Sequence, residues 1–234
     1  METTAAWTAW ARSGGGAAPP GAADAAEPPP IKEIPPLLRR RADKMGRALL
    51  HTLSRPELPY AGQPLILCSR LGEFSRALAL QRELARAGQV SPQQFSMAVH
   101  NAIGGLFMMA QKTNAPLTAL AAAEDMALAG LLEAAIQLAD GAASVWLCFS
   151  EEPLPDVYRN QDTPPRSVNY FSLLLELAAG DTFRLQPETC AHTDSARASP
   201  LDLLCFLLSP TAAALPLSAR GGWTLRRRNG ADAA

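Results

Sequence analysis

The chain has only four cysteines and three histidines in 234 residues, and its formal charge is −1, from 21 basic and 22 acidic side chains. Each scarcity excludes something. Cys68, Cys148, Cys190 and Cys205 lie far apart, with no CxxC pair and no histidine at ligand spacing. Neither a metal site nor a disulfide framework is expected from them. Cys68 and Cys148 stand within apolar runs, where a free thiol behaves as a small buried hydrophobe, so the pattern points to a reducing, cytoplasmic setting. Balanced charge argues against a nucleic-acid binder, whose face is normally strongly basic. The two local exceptions, Arg39-Arg40-Arg41 and Arg226-Arg227-Arg228, are short enough to read as solvated faces.

Other absences narrow the field further. No basic stretch followed by an apolar one opens the sequence, so no signal peptide is expected. The most apolar long window, Pro200 to Ala219, is interrupted by Asp202, Pro210 and Pro216 and does not read as a membrane span. There is no GxGxxG after a strand, no GxxxxGK[ST], no HExxH and no GxSxG. His51, His100 and His192 are scattered, and no nucleophile has a sequence context that pairs with any of them. His100, within "VHN", reads as a satisfied structural histidine.

What is present is a nearly half-apolar chain whose segments alternate. "SGGGAAPPGAADAAEPPP" (Ser13 to Pro30) is a low-complexity linker, preceded by a piece with Trp7 and Trp10 that is expected to dock as a short strand. Pro35 and Pro36 lead into a helix with a basic opening, "LLRRRADKMGRALLHTL". "PLILCS" (Pro64 to Ser69) suits a buried parallel strand, and Gly72 to Ala87 a helix closed by Gly88. Ser91-Pro92 then starts another helix, with Phe95, Val99, Ile103 and Leu106 on one stripe. Gly104-Gly105 inside that stripe marks either a fading helix or the close approach of another backbone.

Leu117 to Ala122 is the next strand, Asp125 to Asp140 the next helix, and Ala143 to Ser150 ("ASVWLCFS") another buried strand. The helix's polar positions Glu133, Gln137 and Asp140 share one narrow face, so most of its circumference is expected to be buried. Strand, helix and strand at these lengths predict right-handed βαβ units in a mostly parallel α/β sheet. Ser167 to Leu177 and Asp181 to Gln186, joined at Ala179-Gly180, are expected to form an antiparallel hairpin. The tail holds a helix near Leu201 to Leu208 and a last strand at Trp223 to Arg227. The expected organisation is an N-terminal segment (1–34), an α/β domain (35–190) and a C-terminal extension (191–234).

"TALAAAEDMALAGLLEAA" (Thr118 to Ala135) is laid out like a reactive elbow: strand, small-residue turn, helix. Its junction carries Ala123, Glu124 and Asp125, with no Ser, Cys or Lys. Carboxylates at a helix N-terminus accept orphan backbone N–H groups and complement the dipole. Paired carboxylates also do acid/base work, although adjacent residues diverge. By themselves these residues do not make an active site.

The order of "SPQQF", "VHNAIGG" and "DGAASVWLCFSEE" resembles the N-terminal half of β-ketoacyl synthases, over about Ile34 to Tyr158. It is most similar to short ketoacyl-synthase-like, N-terminal proteins, which are chain-length-factor-like partners of a ketosynthase in fatty-acid, aryl-polyene or polyketide pathways. The resemblance implies a thiolase-like fold. In active ketosynthases a proline-led strand runs into T-A-C-S-S, whose cysteine attacks the acyl thioester. Matching Pro116 and Gly141 to the family's proline and glycine puts Glu124 at the cysteine, flanked by Ala123 and Asp125. In chain length factors a non-nucleophilic polar residue, typically glutamine, replaces that cysteine.

The family's two catalytic histidines and lysine belong to a C-terminal half that has no counterpart here. The resemblance therefore implies a pseudo-enzyme without cofactor or metal, paired as a heterodimer with an active β-ketoacyl synthase and bounding its acyl tunnel. The resemblance also implies acyl carrier protein as a further partner. Thiolase-fold dimers meet through the strand before the elbow, which makes Leu117, Thr118 and Leu120 interface candidates, with Gly104 and Gly105 beside them. Two other readings stay open: a decarboxylase or acyltransferase acting on carrier-protein substrates with Glu124 or Asp125 as base, and a carrier-protein docking module using Arg39 to Arg41.

Overall fold

A computed structural model describes residues 30–55, 59–122, 125–158, 169–177, 182–187, 198–218 and 222–228. Trp7, Trp10, Ala123, Glu124, Ala179, Gly180, Cys190 and His192 lie outside the described residues, as does all but Pro30 of the linker.

Four strands form the main sheet: β1 (Leu65–Cys68), β2 (Leu117–Leu120), β3 (Ser144–Glu151) and β4 (Asn169–Glu176), in the order β2-β1-β3-β4. β1 is parallel to both β2 and β3, while β4 runs antiparallel to β3. The parallel β1, β2 and β3 are the strands that the alternating sequence pattern predicts. A smaller antiparallel sheet holds β5 (Phe183–Pro187), β6 (Ala214–Ser218) and β7 (Trp223–Arg227), in the order β5-β7-β6.

The hairpin expected from Ser167 to Gln186 does not form. β4 pairs with β3 in the main sheet and β5 with β7 in the small one. Both runs have strand composition, but their partners are set by the apolar faces available. Phe171 packs on Phe149 of β3 with ring centroids 5.1 Å apart, and Phe183 packs on Phe206 at 5.8 Å. β6 was not anticipated, because Pro216 and Pro210 argue against a strand. It is an outer strand of its sheet with a register shift at Pro216, which is where a strand proline is tolerated.

Helices cover both faces of the main sheet. α1 (Pro36–Arg39), α2 (Lys44–Leu53), α3 (Phe74–Ala87), α4 (Pro92–Ser96) and α5 (Ala102–Gln111) precede β2; α6 (Met126–Ala139) joins β2 to β3, and α7 (Pro200–Leu208) follows β5. Strand alternation divides the core accordingly. Leu65, Leu67, Trp146 and Cys148 face α2 and α5, while Ile66, Cys68, Val145, Leu147 and Phe149 face α6, α7 and the small sheet. Ile31 and Ile34, from the segment before residue 35, are fully buried in the first of these cores.

Two helices expected to be continuous are broken. The basic helix splits into α1 and α2 because Asp43 caps α2, accepting the Gly46 N–H at 2.8 Å. The helix from Pro92 splits into α4 and α5, and the stripe breaks with it: Phe95 is 63% exposed while Leu106 is 1% exposed. The intervening bend turns Met97 inward and carries His100 onto the end of β1. Gly104 does not end its helix, which runs on to Gln111. α6 is less enclosed than its composition suggests, since Ala135, Ile136 and Ala139 are exposed; it has one sheet-facing side and not a buried circumference.

Candidate functional site

The elbow begins where β2 leaves the sheet. Ser69 N donates to the Leu120 carbonyl at 3.1 Å, and Asp125 N closes a turn on the Ala122 carbonyl at 2.9 Å. Asp125 occupies the N-cap position of α6, but its side chain makes no cap hydrogen bond, and Oδ1 is buried without a partner. This corrects the expectation that Asp125 caps the helix through its carboxylate. The Ala129 N–H donates to the Asp125 carbonyl at 2.9 Å as α6 begins.

The residues proposed for an interface divide between two surfaces. Gly104 is buried and holds α5 tightly on the sheet: a Cβ there would lie 2.7 Å from side-chain carbons of both Leu117 and Leu67. Gly105 faces open space. Thr118 and Leu120 point to the opposite face, toward α6. Thr118 meets two polar side chains of that helix, and Gln137 Nε2 donates to Glu133 Oε1 at 2.7 Å and to Thr118 Oγ1 at 3.3 Å. β2 itself is an edge strand with all four residues half-buried.

A second polar group was missed by the sequence reading. It gathers at the carboxyl ends of β1 and β3, the end of a parallel sheet where open α/β folds place their sites. Glu73 is 3% exposed and lies beside Asp43 and Arg76, with Arg76 Nε 3.4 Å from its Oε2. Burial first, and then the Asp43 carboxylate, push the Glu73 carboxyl up to about 8, against the pull of Arg76. Arg76 also reaches the Arg41 carbonyl at 3.1 Å and Gln94 Oε1 at 3.2 Å, so it joins α3 to α4 and to the chain before α2.

Glu151 accepts the Arg70 N–H at 2.7 Å; burial raises its pKa and Arg70 opposes the shift. His100 Nε2 lies 2.8 Å from the Ser69 carbonyl, and its ring fills the space over Gly72, in line with a structural histidine. A small recess lined by Ser69, Glu73, His100 and Ser150 lies between these groups. Among the described residues no thiol borders it, and the Ser69 hydroxyl is engaged by Gly72 N at 2.9 Å. Among the described residues no three His, Cys, Asp or Glu side chains are arranged to hold a metal. The only signal for this cluster was Glu151-Glu152 directly after an apolar strand; nothing in the sequence marks Glu73 as buried.

Residues 7–224 match the family model for the β-ketoacyl synthase, N-terminal domain. The chain belongs to that family. The match extends well beyond Ile34 to Tyr158, and takes in α7, β5, β6 and the start of β7. No curated protein sequence matches the chain. Among solved structures it is similar to the complex of the ketosynthase ApeO with its chain length factor ApeC from Xenorhabdus doucetiae. That likeness has 25% identity and a TM-score of 0.75, and covers 97% of this chain and 94% of the other. The ishigamide ketosynthase/chain length factor is similar in fold, at 15% identity and a TM-score of 0.58, over 80% of this chain and 63% of that one. The fold is thus the thiolase-like α/β fold of ketosynthases, with a mostly parallel main sheet. No helix among the described residues is long and apolar enough to cross a membrane.

Proposed function

We propose that the protein is a non-catalytic ketosynthase homologue, a chain-length-factor-like subunit. It pairs with an active β-ketoacyl synthase in fatty-acid, aryl-polyene or polyketide-type biosynthesis, and helps bound the tunnel that takes the growing acyl chain. The observation that carries this reading is the coupling of β2, the edge strand of the main sheet among the described residues, to an elbow whose sequence offers no thiol at Ala123, Glu124 or Asp125. An edge strand left open in a folded subunit is a template for pairing with another chain. The similarity to a ketosynthase–chain length factor complex supports the same assignment. Residues 35–190 form the ketosynthase-like domain in this proposal, with 1–34 and 191–234 as flanking segments. Acyl carrier protein visits the assembled pair in the cytoplasm.

Co-expression with the ketosynthase of the same pathway, followed by sizing, tests the proposal. A stable one-to-one complex is expected; a stable monomer that retains no ketosynthase overturns it. A carboxylate-base reading is kept because Asp125 Oδ1 is buried and makes no hydrogen bond. Glu124→Gln and Asp125→Asn together would abolish product formation on that reading and leave it intact on ours.

A further inference from the structure

The edge strand carries more than a place to pair. Thr118 points to the α6 face of the sheet, and Glu133 and Gln137 of α6 close over it. Thr118 Oγ1 is 3.5 Å from Glu133 Oε1. Gln137 spends its amide N–H groups on Glu133 and Thr118, and its Oε1 is buried without a hydrogen bond. All three side chains are half-buried, and no Lys or Arg pairs with Glu133 among the described residues. Ile136, 61% exposed, stands next to them on α6. Beside the exposed Ile136, the strand edge therefore carries a carboxylate that accepts from Gln137 and Thr118 but has no cation beside it among the described residues.

Two-fold symmetry makes that arrangement decisive. If β2 paired antiparallel with β2 of a second copy, the axis would cross the sheet at a residue facing its own copy, because both subunits must keep the same face up. With only Leu117 to Leu120 in the strand, the central residue is Thr118 or Ala119. Centred on Thr118, the two threonines have Cβ atoms about 5 Å apart, and centred on Ala119 they are diagonal neighbours at roughly 7–8 Å. Each threonine brings its own Glu133. Self-pairing thus brings two carboxylates together with no cation from the described residues between them, and like charges so placed suppress the wrong partner.

We propose that the Thr118–Glu133–Gln137 cluster selects a different chain over a second copy: the partner sets an Arg or Lys side chain of its own against the half-buried Glu133 carboxylate. This rests on the reading of β2 as the surface that meets a ketosynthase, and adds the chemistry that chooses between a heterodimer and a homodimer.

The test uses the full chain, alone and with its ketosynthase, as wild type, Glu133→Gln and Glu133→Arg. Unchanged thermal melting of Glu133→Gln, which keeps the side-chain shape, shows that folding is intact. Wild type alone should be monomeric and should bind the ketosynthase. Glu133→Gln should weaken that complex at least tenfold and flatten its salt dependence, and Glu133→Arg should abolish it. Self-association of Glu133→Gln, measured by sedimentation, should exceed that of wild type. Complexes of equal affinity in all three proteins overturn this inference and leave the pairing itself standing. A wild type that binds no ketosynthase overturns both.

Discussion

Gly104 packs without a side chain against Leu117, so that the helix α5 and the edge strand β2 are held at a distance only glycine permits. A Cβ at position 104 would fall 2.7 and 2.9 Å from the two methyl carbons of Leu117, and 2.7 Å from Leu67 Cδ1. Real side chains do not pack that closely, and helix and sheet must separate to admit one. Gly104→Ala is expected to cost about 1–3 kcal/mol by overpacking. At Gly105, where nothing lies within 4 Å, the same change is expected to be neutral or stabilising by up to about 1 kcal/mol. Paired urea titrations of the two variants check this, and equal midpoints would refute the packing argument.

The buried Glu73 gives stability a pH dependence of predictable sign. Its carboxyl titrates near 8 in the folded chain and at the ordinary 4.5 when unfolded. Between those values the folded state holds a proton that the unfolded state has released, so stability falls as pH rises and levels off above 8. The contribution is complete below about pH 4.5 and is lost through the folded pKa. Glu73→Gln, which cannot ionise, should be more stable than wild type at pH 8 by about 1–3 kcal/mol, with a flatter profile from pH 5 to 8. Denaturant midpoints across that range measure it. A wild-type profile that rises with pH would contradict the assignment.

Much of this architecture was legible in the sequence, and the failures have physical causes. β1 and β3 announced themselves because strands buried on both faces read as unbroken apolar runs. Gly88 marked the end of α3, as its left-handed backbone at φ 70° requires. Pairing partners were not legible. The run ending at Glu176 and the one starting at Phe183 look like a hairpin locally, yet each finds a better apolar face elsewhere. Nor was the Glu73–Asp43–Arg76 group legible, since it joins the residues just before α2 and α3 to Arg76 within α3, a juxtaposition that no spacing records. The elbow was found by pattern, and the environment of Glu124 lies outside the described residues.

Cys68, Cys148 and Cys205 should be silent toward thiol reagents while the chain is folded. Cys68 and Cys148 are each 1% exposed, and burial raises both thiols, Cys148 to about 12. Cys205 is half-buried, and its burial, with Asp202 nearby, raises it to about 11. The thiolate is the reactive form, so at pH 8 almost none is present at any of the three. Mass spectrometry after alkylation should find Cys68 and Cys148 unmodified in native protein and fully modified in denaturant. Rapid native labelling of Cys148 would show that β3 is not the buried centre of the sheet.

Arg227 is predicted to hold the small sheet to the helix beside it. Its guanidinium lies 4.9 Å from the ring centre of Phe183 and 5.5 Å from that of Phe206. The same Nη2 donates to the carbonyls of Phe206, Leu207 and Ser209, at 3.1, 3.3 and 3.0 Å. Those carbonyls belong to the last turn of α7 and the residue after it, where an α-helix leaves acceptors unfilled and the dipole favours a cation. One β7 side chain thus satisfies the helix end and sits over the aromatic pair that joins β5 to α7. Arg227→Met keeps the apolar stem and removes both functions, and should cost about 2–3 kcal/mol. Arg227→Lys keeps the charge but loses the planar fork, and should fall between the two. Thermal melts of the two variants decide the matter: Arg227→Met melting with wild type would mean that this contact does not set the stability of the C-terminal segment.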